Sequence, residues 1–508
     1  MAAIAEALKI YLVAPRTPDS FWSMGDSVKT LGARALMPNS ALATLMALTP
    51  RETNVEYAYC DENVSPLDPD MDCDLVAITG FTLHAPRLRE LSAHFRSRGI
   101  PVALGGAFAT LTPHEARPLA DHLFIGEAEL TWPCFLRDWA DGRPQPLYEQ
   151  TTHVDMSLSP PPDWSFIRGK DYLYFTVQTS RGCPNKCDFC NAVQLVGRRY
   201  RHKSVDQMIT EIENASRMGA ETVFFSEDNF FVNREFTREL LKEMIRWNTR
   251  QERPLSFSCQ ASVTIGADIK IVKLMADAKF SVVFLGVESL RKECLEEVNK
   301  GQLARFGARE TVTNLSKHGI IPFIGLIVGF DHDDAETFPE LESFLEETGS
   351  PIASLSVLNA PEDTPLYARL KQANRIREEF GGTWHFSTNI VPASMLLHDL
   401  LMRHRTLFRS LYAPDAFERR TMTWLSRVEY QTTLYEKSRT NWSKLWKAQR
   451  ISRYFLTHPS GQVRRMFLRI LYRTWKVNPR MLKKAFTLLS QFPHYYHFSH
   501  DATWYDAA

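Results

Sequence analysis

Three of the chain's eight cysteines fall together in Thr179-Ser180-Arg181-Gly182-Cys183-Pro184-Asn185-Lys186-Cys187-Asp188-Phe189-Cys190, a C-x3-C-x2-C loop. Thiolates are iron ligands, and a loop this tight can wrap one iron–sulfur cluster. On a 4Fe–4S cluster, Cys183, Cys187 and Cys190 would leave one iron open to a small molecule carrying an amine and a carboxylate. The competing reading is zinc completed by a histidine such as His202. Structural zinc ordinarily uses paired Cys-x2-Cys or Cys/His knuckles, so iron is favoured. The other cysteines, Cys60, Cys73, Cys134, Cys259 and Cys294, are scattered singly, which argues against a disulfide framework.

Such a loop needs a frame, and the apolar pattern predicts an α/β one. Ile10–Ala14, Val55–Cys60, Leu75–Thr79, Val102–Gly105 and His122–Ile125 read as strands, and Arg87–Arg98 as a helix. This alternation predicts a Rossmann-like, doubly wound domain over residues 1–150. A connector at 151–171 contains Ser159-Pro160-Pro161-Pro162-Asp163. Strand-like runs follow at Tyr172–Thr179, Thr222–Ser226, Leu255–Cys259, Val282–Val287, Ile320–Val328 and Ile352–Leu358. Helical stretches lie between them near 204–219, 233–250, 268–278, 290–317 and 335–348. These predict a partial (β/α) barrel of about six units over 172–385. Residues 386–508 read as basic and mainly helical.

Read together, these features resemble the radical S-adenosylmethionine (SAM) enzymes, and the resemblance assigns further residues. Phe189 resembles the family's aromatic beside the adenine. Ser226 and Asp228, in Ser226-Glu227-Asp228-Asn229, stand where the family binds the amino group of SAM. Glu288 looks like the carboxylate that meets the ribose, and Gly325 and Gly329 fit the G-x-I-x-G stretch that admits the adenine. No individual catalytic residue is assigned.

The N-terminal region is similar to the cobalamin-binding domain of one radical SAM subclass. The resemblance rests on Thr79-Gly80-Phe81-Thr82, Gly105-Gly106 with Thr110, and Gly126-Glu127-Ala128-Glu129. It implies that Thr79, Gly80, Thr82, Gly105, Gly106, Thr110, Gly126 and Glu127 contact cobalamin. The chain departs from the pattern of other cobalamin proteins in lacking D-x-H-x-x-G, so no protein histidine is set up as the lower axial ligand. From about residue 10 to 420 the chain resembles hopanoid C-2 methylases and their relatives. Supporting stretches include Ala35–Ser40, Asp61–Val64, Gly197–Lys203 and Leu355–Leu366.

The resemblance implies a cobalamin-dependent C-methyltransferase that cleaves SAM to a 5′-deoxyadenosyl radical and methylates an unactivated carbon, in a hopanoid-like or other lipid. A radical cyclase or rearrangement enzyme with the same cofactors is the alternative. A tRNA-modifying radical enzyme ranks lower, because it would carry three further cluster cysteines in its N-terminal domain. An electron donor such as flavodoxin or ferredoxin is implied.

Charge sets a last expectation. A net charge of +1 conceals 20 Lys+Arg against 6 Asp+Glu after residue 401, with 40 against 53 before it. The tail also interleaves rings: Trp424, Trp442, Trp446, Tyr454, Phe455, Trp475, Tyr495, Tyr496, Phe498 and Trp504. Two readings stay open: a helical bundle with its rings inside, or peripheral contact with an anionic membrane through cations such as Arg464, Arg465, Lys483 and Lys484. Nucleic acid ranks below both. With no long apolar run and no signal-peptide pattern at the start, the expected location is cytoplasmic, with contact at the inner membrane face open.

Overall fold

The computed structural model describes residues 7–301, 307–377, 385–432, 434 and 442–501. It divides into two compact units. The first comprises Met1–Ser23, Ala33–Cys183 and Ala192–Val223; the second comprises Met24–Gly32, Pro184–Asn191 and Phe224–Ala508.

In the first unit, strands β1 (Leu8–Ala14), β2 (Val55–Asp61), β3 (Leu75–Thr79), β4 (Val102–Gly105), β5 (His122–Ile125) and β6 (Leu147–Glu149) form one parallel sheet in the order β2-β1-β3-β4-β5-β6. Both faces of the central strands are covered, so they read as continuous apolar runs. Side chains of β1 alternate between two cores: Tyr11 and Val13 pack with Leu88, Leu91 and Phe95, while Ile10 and Leu12 pack with Trp132 and Phe135. The chain runs from β1 outward to β2 and then back across to β3. That reversal is the topological switch point of a doubly wound sheet, and ligands bind at the carboxyl ends of its strands. Strand β6 lay outside the sequence reading because three residues carry too little pattern.

The second sheet has the order β14-β13-β12-β11-β10-β7. Its strands are β7 (Phe175–Val177), β10 (Thr222–Phe225), β11 (Ser256–Ser262), β12 (Phe280–Glu288), β13 (Ile321–Val328) and β14 (Ile352–Val357). Neighbours from β11 to β14 pair in parallel. The six strands are those expected, and the sheet is the partial barrel. Between β7 and β10 a short antiparallel pair, β8 (Ser180–Arg181) and β9 (Arg201–His202), flanks the cysteine loop.

The helices bury one stripe each. In Arg234–Arg250, Phe236, Leu240, Leu241 and Met244 face inward, and the Asn233 side chain caps the start by accepting from Phe236 N–H at 3.1 Å. The continuous helical stretch expected at 290–317 is instead two helices, Lys292–Glu297 and Ala308–Lys317. Left-handed Asn299 (φ 59°) ends the first, because a left-handed residue cannot continue a right-handed helix. Residues 302–306 lie outside those described.

After β14 the second unit is helical, with long helices at Leu397–Leu411, Pro414–Arg427, Trp442–Leu456, Gly461–Val477 and Leu482–His500. The helix Gly25–Leu31 belongs to this unit although it lies far away in sequence. Ser27 Oγ donates to the Gln491 carbonyl at 3.4 Å, and Asp26 reaches His497 at 3.1 Å. Among the tail's rings, Trp424, Phe455, Tyr495 and Phe498 are buried, whereas Trp446 and Trp475 are exposed. The Trp442 and Trp504 side chains lie outside those described. No helix of the described residues is long and apolar enough to cross a membrane.

Candidate functional site

The cysteine loop is pinned by its backbone. In the first unit Cys183 N–H donates to the Gly197 carbonyl at 3.2 Å, while Asp188, in the second, is held on both sides: its N–H donates to Val298 O at 3.0 Å and its carbonyl accepts from Leu366 N–H at 3.1 Å. A turn within the loop brings Cys190 N–H to Cys187 O at 3.2 Å. Cys183, Cys187 and Cys190 are partly exposed and in no disulfide. Among the described residues no three Cys, His, Asp or Glu side chains are drawn up into a metal-holding group. The donor set fits an iron–sulfur cluster, since three thiols sit within one pinned loop.

The segment leading into Cys183 is fixed by buried charge within the first unit. Arg181 pairs with Glu127 at 3.1 Å and Glu129 at 2.7 Å. Arg201 pairs with Glu127 at 2.9 Å and donates to Val154 O at 2.6 Å and Val196 O at 3.0 Å. Glu127 also accepts from Val154 N–H at 2.7 Å. Burial pushes the Glu129 carboxyl up, but the Arg181 guanidinium more than offsets this and leaves it below the usual carboxylate range. Glu127, expected at cobalamin, thus has its oxygens engaged by protein donors. The pairing of Gly126-Glu127-Ala128-Glu129 with Arg181 and Arg201 escaped the sequence reading. Its only signal was two acids and two arginines inside stretches singled out for other reasons.

The remaining cobalamin candidates gather at the carboxyl ends of β3, β4 and β5. Thr79 ends β3 and Gly80 follows it; Thr82 opens the next turn. Gly105 ends β4, and Gly106 (φ 88°) sits where a Cβ would strike Thr79 Oγ1. Thr110 Oγ1 accepts from Gly126 N–H at 3.0 Å, tying the β4 and β5 ends together. Only a residue without a side chain suits position 106, on both backbone and space.

In the second unit, three of the residues that the resemblance assigned to SAM lie on or just after β12 and β13: Glu288 ends β12, Gly325 lies within β13 and Gly329 follows it. Gly286 and Gly325 are register partners across those strands. A Cβ on Gly325 would meet the Phe284 ring at 2.6 Å. Glu288 follows a register shift and takes φ 63°, a left-handed conformation costly for a side-chain-bearing residue. Its carboxylate accepts from Lys300 Nζ at 2.5 Å, and Lys300 also donates to Gly286 O at 3.2 Å. The Lys300 ammonium lies 5.9 Å from the centroid of the Phe189 ring. Phe189, Glu288 and Lys300 therefore form one group. Lys300 escaped the sequence reading, because its helix-end position gives no motif. Gly329 closes β13, with its N–H on Asp333 at 2.7 Å. Ser226 and Asp228 follow β10, where Asn229 Oδ1 braces the turn by accepting from Phe231 N–H and Ser262 N–H, both at 3.2 Å.

Residues 177–345 match the Radical SAM superfamily, and residues 364–504 match a domain family of unknown function, DUF4070. The chain is 30% identical over 416 residues to an uncharacterized methyltransferase of Synechocystis sp., covering 81% of this chain and 77% of that protein. It is 30% identical over 381 residues to the hopanoid C-2 methylase of Rhodopseudomonas palustris, covering 72% and 71%. The fold is similar to that of OxsB, a cobalamin-dependent SAM radical enzyme solved with aqua-cobalamin, with a TM-score of 0.64 at 15% identity over 97% of this chain and 83% of that one. The cysteine loop at the head of a partial barrel, and relatives that align across both units, lead to one conclusion: the chain belongs to the radical SAM superfamily, in the family that includes hopanoid C-2 methylase.

Proposed function

We propose that this protein is a cobalamin-dependent radical SAM C-methyltransferase acting on an unactivated carbon of a small molecule, with a hopanoid-like or other lipid as the substrate class. The observation that carries the reading is the pinned Cys183–Cys190 loop with the Phe189–Glu288–Lys300 group beside its last cysteine. Two relatives of substantial length named as methyltransferase and methylase support methylation over cyclisation. Cys183, Cys187 and Cys190 would hold the 4Fe–4S cluster, and the glycine-rich ends of β3, β4 and β5 would hold cobalamin. Together these groups supply one-electron cleavage of SAM and a carrier for the methyl group.

The chain's own residues position and shield. Lys300 neutralises Glu288 in the ground state and offers a cation to the carboxylate of SAM. Gly325 makes room for the Phe284 ring, and Gly286 for the Glu288–Lys300 pair that would face SAM. The buried walls of β12 and β13 exclude water, which a reactive radical requires. An electron donor such as flavodoxin or ferredoxin, a cytoplasmic location and peripheral contact with the inner membrane face complete the proposal.

Anaerobic reconstitution with iron, sulfide and cobalamin, followed by mass spectrometry of lipid extracts incubated with SAM, tests it. The expected product gains one CH2. Product without that gain would favour the cyclase, and failure to take up cobalamin would remove the methyl carrier. Cys183→Ala, Cys187→Ala or Cys190→Ala should each abolish SAM cleavage. Cys60→Ala or Cys134→Ala should leave about four irons per chain.

A further inference from the structure

The methyltransferase reading leaves the outer face of the C-terminal helices without a task, and the family matched there has no assigned function. The helix Gly461–Val477 reads GQVRRMFLRILYRTWKV: five basic residues and no acidic one. Its inner stripe, Val463, Met466, Phe467, Ile470 and Thr474, is already buried. The fold therefore has no further use for apolar residues on the opposite arc. Yet Leu468, Tyr472 and Trp475 recur there at helical spacing, 53%, 60% and 60% exposed.

The charges beside this stripe are arranged by sign. At 100° per residue, Arg465 and Lys476 fall on the same outer arc as Tyr472. Arg469 and Arg473 lie further round and are tied down, Arg469 to Asp415 and Glu418 at 2.7 Å each and Arg473 to Glu418 at 3.2 Å. Arg464, on the other flank of the stripe, is partly buried and donates to the His458 and Pro459 carbonyls, whereas Arg465 and Lys476 are exposed. Lys484, expected among the membrane cations, is not one of them. It is buried, donates to Gly319 O, and has its pKa lowered to about 7 by desolvation and by Lys279.

We propose that the Leu468–Tyr472–Trp475 face of this helix docks on a lipid surface carrying anionic headgroups. The inference rests on the peripheral contact proposed above and names the surface that makes it. Trp and Tyr suit the headgroup level, Leu468 the acyl boundary, and Arg465 and Lys476 the phosphates. Single-stranded nucleic acid fits less well, since stacking needs rings and part of this stripe is aliphatic.

The test is co-sedimentation of the full-length protein with vesicles of phosphatidylcholine alone, or mixed with phosphatidylglycerol, at low and high salt. Mixed vesicles should retain the protein at least tenfold better than neutral ones, and salt should weaken retention. Arg465→Glu with Lys476→Glu should lower retention at least tenfold. Leu468→Ser, Tyr472→Ser and Trp475→Ser together should abolish it. All five positions are on the surface, so an unchanged thermal midpoint will show that the variants fold. SAM cleavage in solution should be unchanged, which keeps this test separate from that of the chemistry. Salt-sensitive binding that survives both sets of variants would overturn this face while leaving the peripheral contact standing. No binding to either vesicle would overturn both, and retention by single-stranded oligonucleotide instead would reassign the surface.

Discussion

At the scale of single residues, the site is organised by charges whose partners are as informative as the charges themselves. Arg181 stands two positions before Cys183 and is paired to Glu127 and Glu129. Removing it would leave buried Glu129 without its cation, at a cost of about 3–5 kcal/mol, while Glu127 keeps Arg201. Arg181→Met should therefore lower the thermal midpoint by several degrees and reduce bound iron after reconstitution. Arg181→Lys, which keeps the charge but not the fork, should recover only part of each. Equal iron content in all three proteins would show that the network steadies the fold without positioning the loop. Lys300 makes a second case. With Lys300→Met, Glu288 loses its partner and the Phe189 ring its cation, and SAM should bind about tenfold more weakly, measured by equilibrium dialysis. Cluster absorbance should be unchanged, because Lys300 is no thiol ligand. Undiminished SAM affinity would remove Lys300 from the binding group.

At the scale of elements, strand ends do the work. β12 and β13 carry Gly286 and Gly325 in register, and a side chain at 325 would run into Phe284. Gly325→Val is expected to weaken SAM binding while iron content stays, read by the same dialysis. Gly106 makes the matching case in the first sheet: Gly106→Val combines a left-handed backbone with a clash against Thr79, and bound cobalamin should fall while iron–sulfur absorbance persists. Many of these elements were visible from pattern alone. Five strands of the first sheet and the six of the second stand where apolar runs predicted them, within a few residues. Fully covered strands must be apolar throughout, and the helices between them keep one apolar stripe. The strands that escaped, β6, β8 and β9, were short; helices that were not named include Ser40–Ala47, Ala128–Ala140 and Pro365–Gln372. A two- or three-residue strand is defined by its hydrogen-bond partner, and no window of sequence contains that partner.

At the scale of the whole molecule, buried titratable groups in the second unit make stability depend on pH. Desolvation lowers the His404 pKa from 6.5 to about 4, even though its ring donates to Leu355 O at 2.7 Å. Between those values the unfolded chain binds a proton that the folded one refuses, so stability falls on acidification through that window. Lys484, lowered from 10.5 to about 7, acts in the same direction at higher pH: stability rises from pH 7 toward 10.5. Each shift amounts to a few kcal/mol, at about 1.4 kcal/mol per unit. The thermal midpoint of the wild type should climb between pH 7 and 10, and that of Lys484→Met should be flatter. A parallel slope in the variant would place the titration elsewhere.

The sequence by itself determined the α/β class, the mainly helical tail, the cysteine loop and the family's cofactor set. The elements and the loop are local signals, since apolar periodicity sets elements and these three cysteines share one loop, while the cofactor set follows from the family resemblance. Only the tertiary structure decided which charges were already spoken for. Glu127 and Arg181 are 54 residues apart, and Ser27 reaches Gln491 across 464. Composition presented the tail as one basic, ring-rich stretch. Packing sorted it, sending Trp424, Phe455 and Tyr495 inward with Lys484 and leaving Tyr472 and Trp475 outside. The physical reason is the same throughout. Periodicity says which face of a helix is apolar. What that face meets depends on segments brought together only when the chain folds.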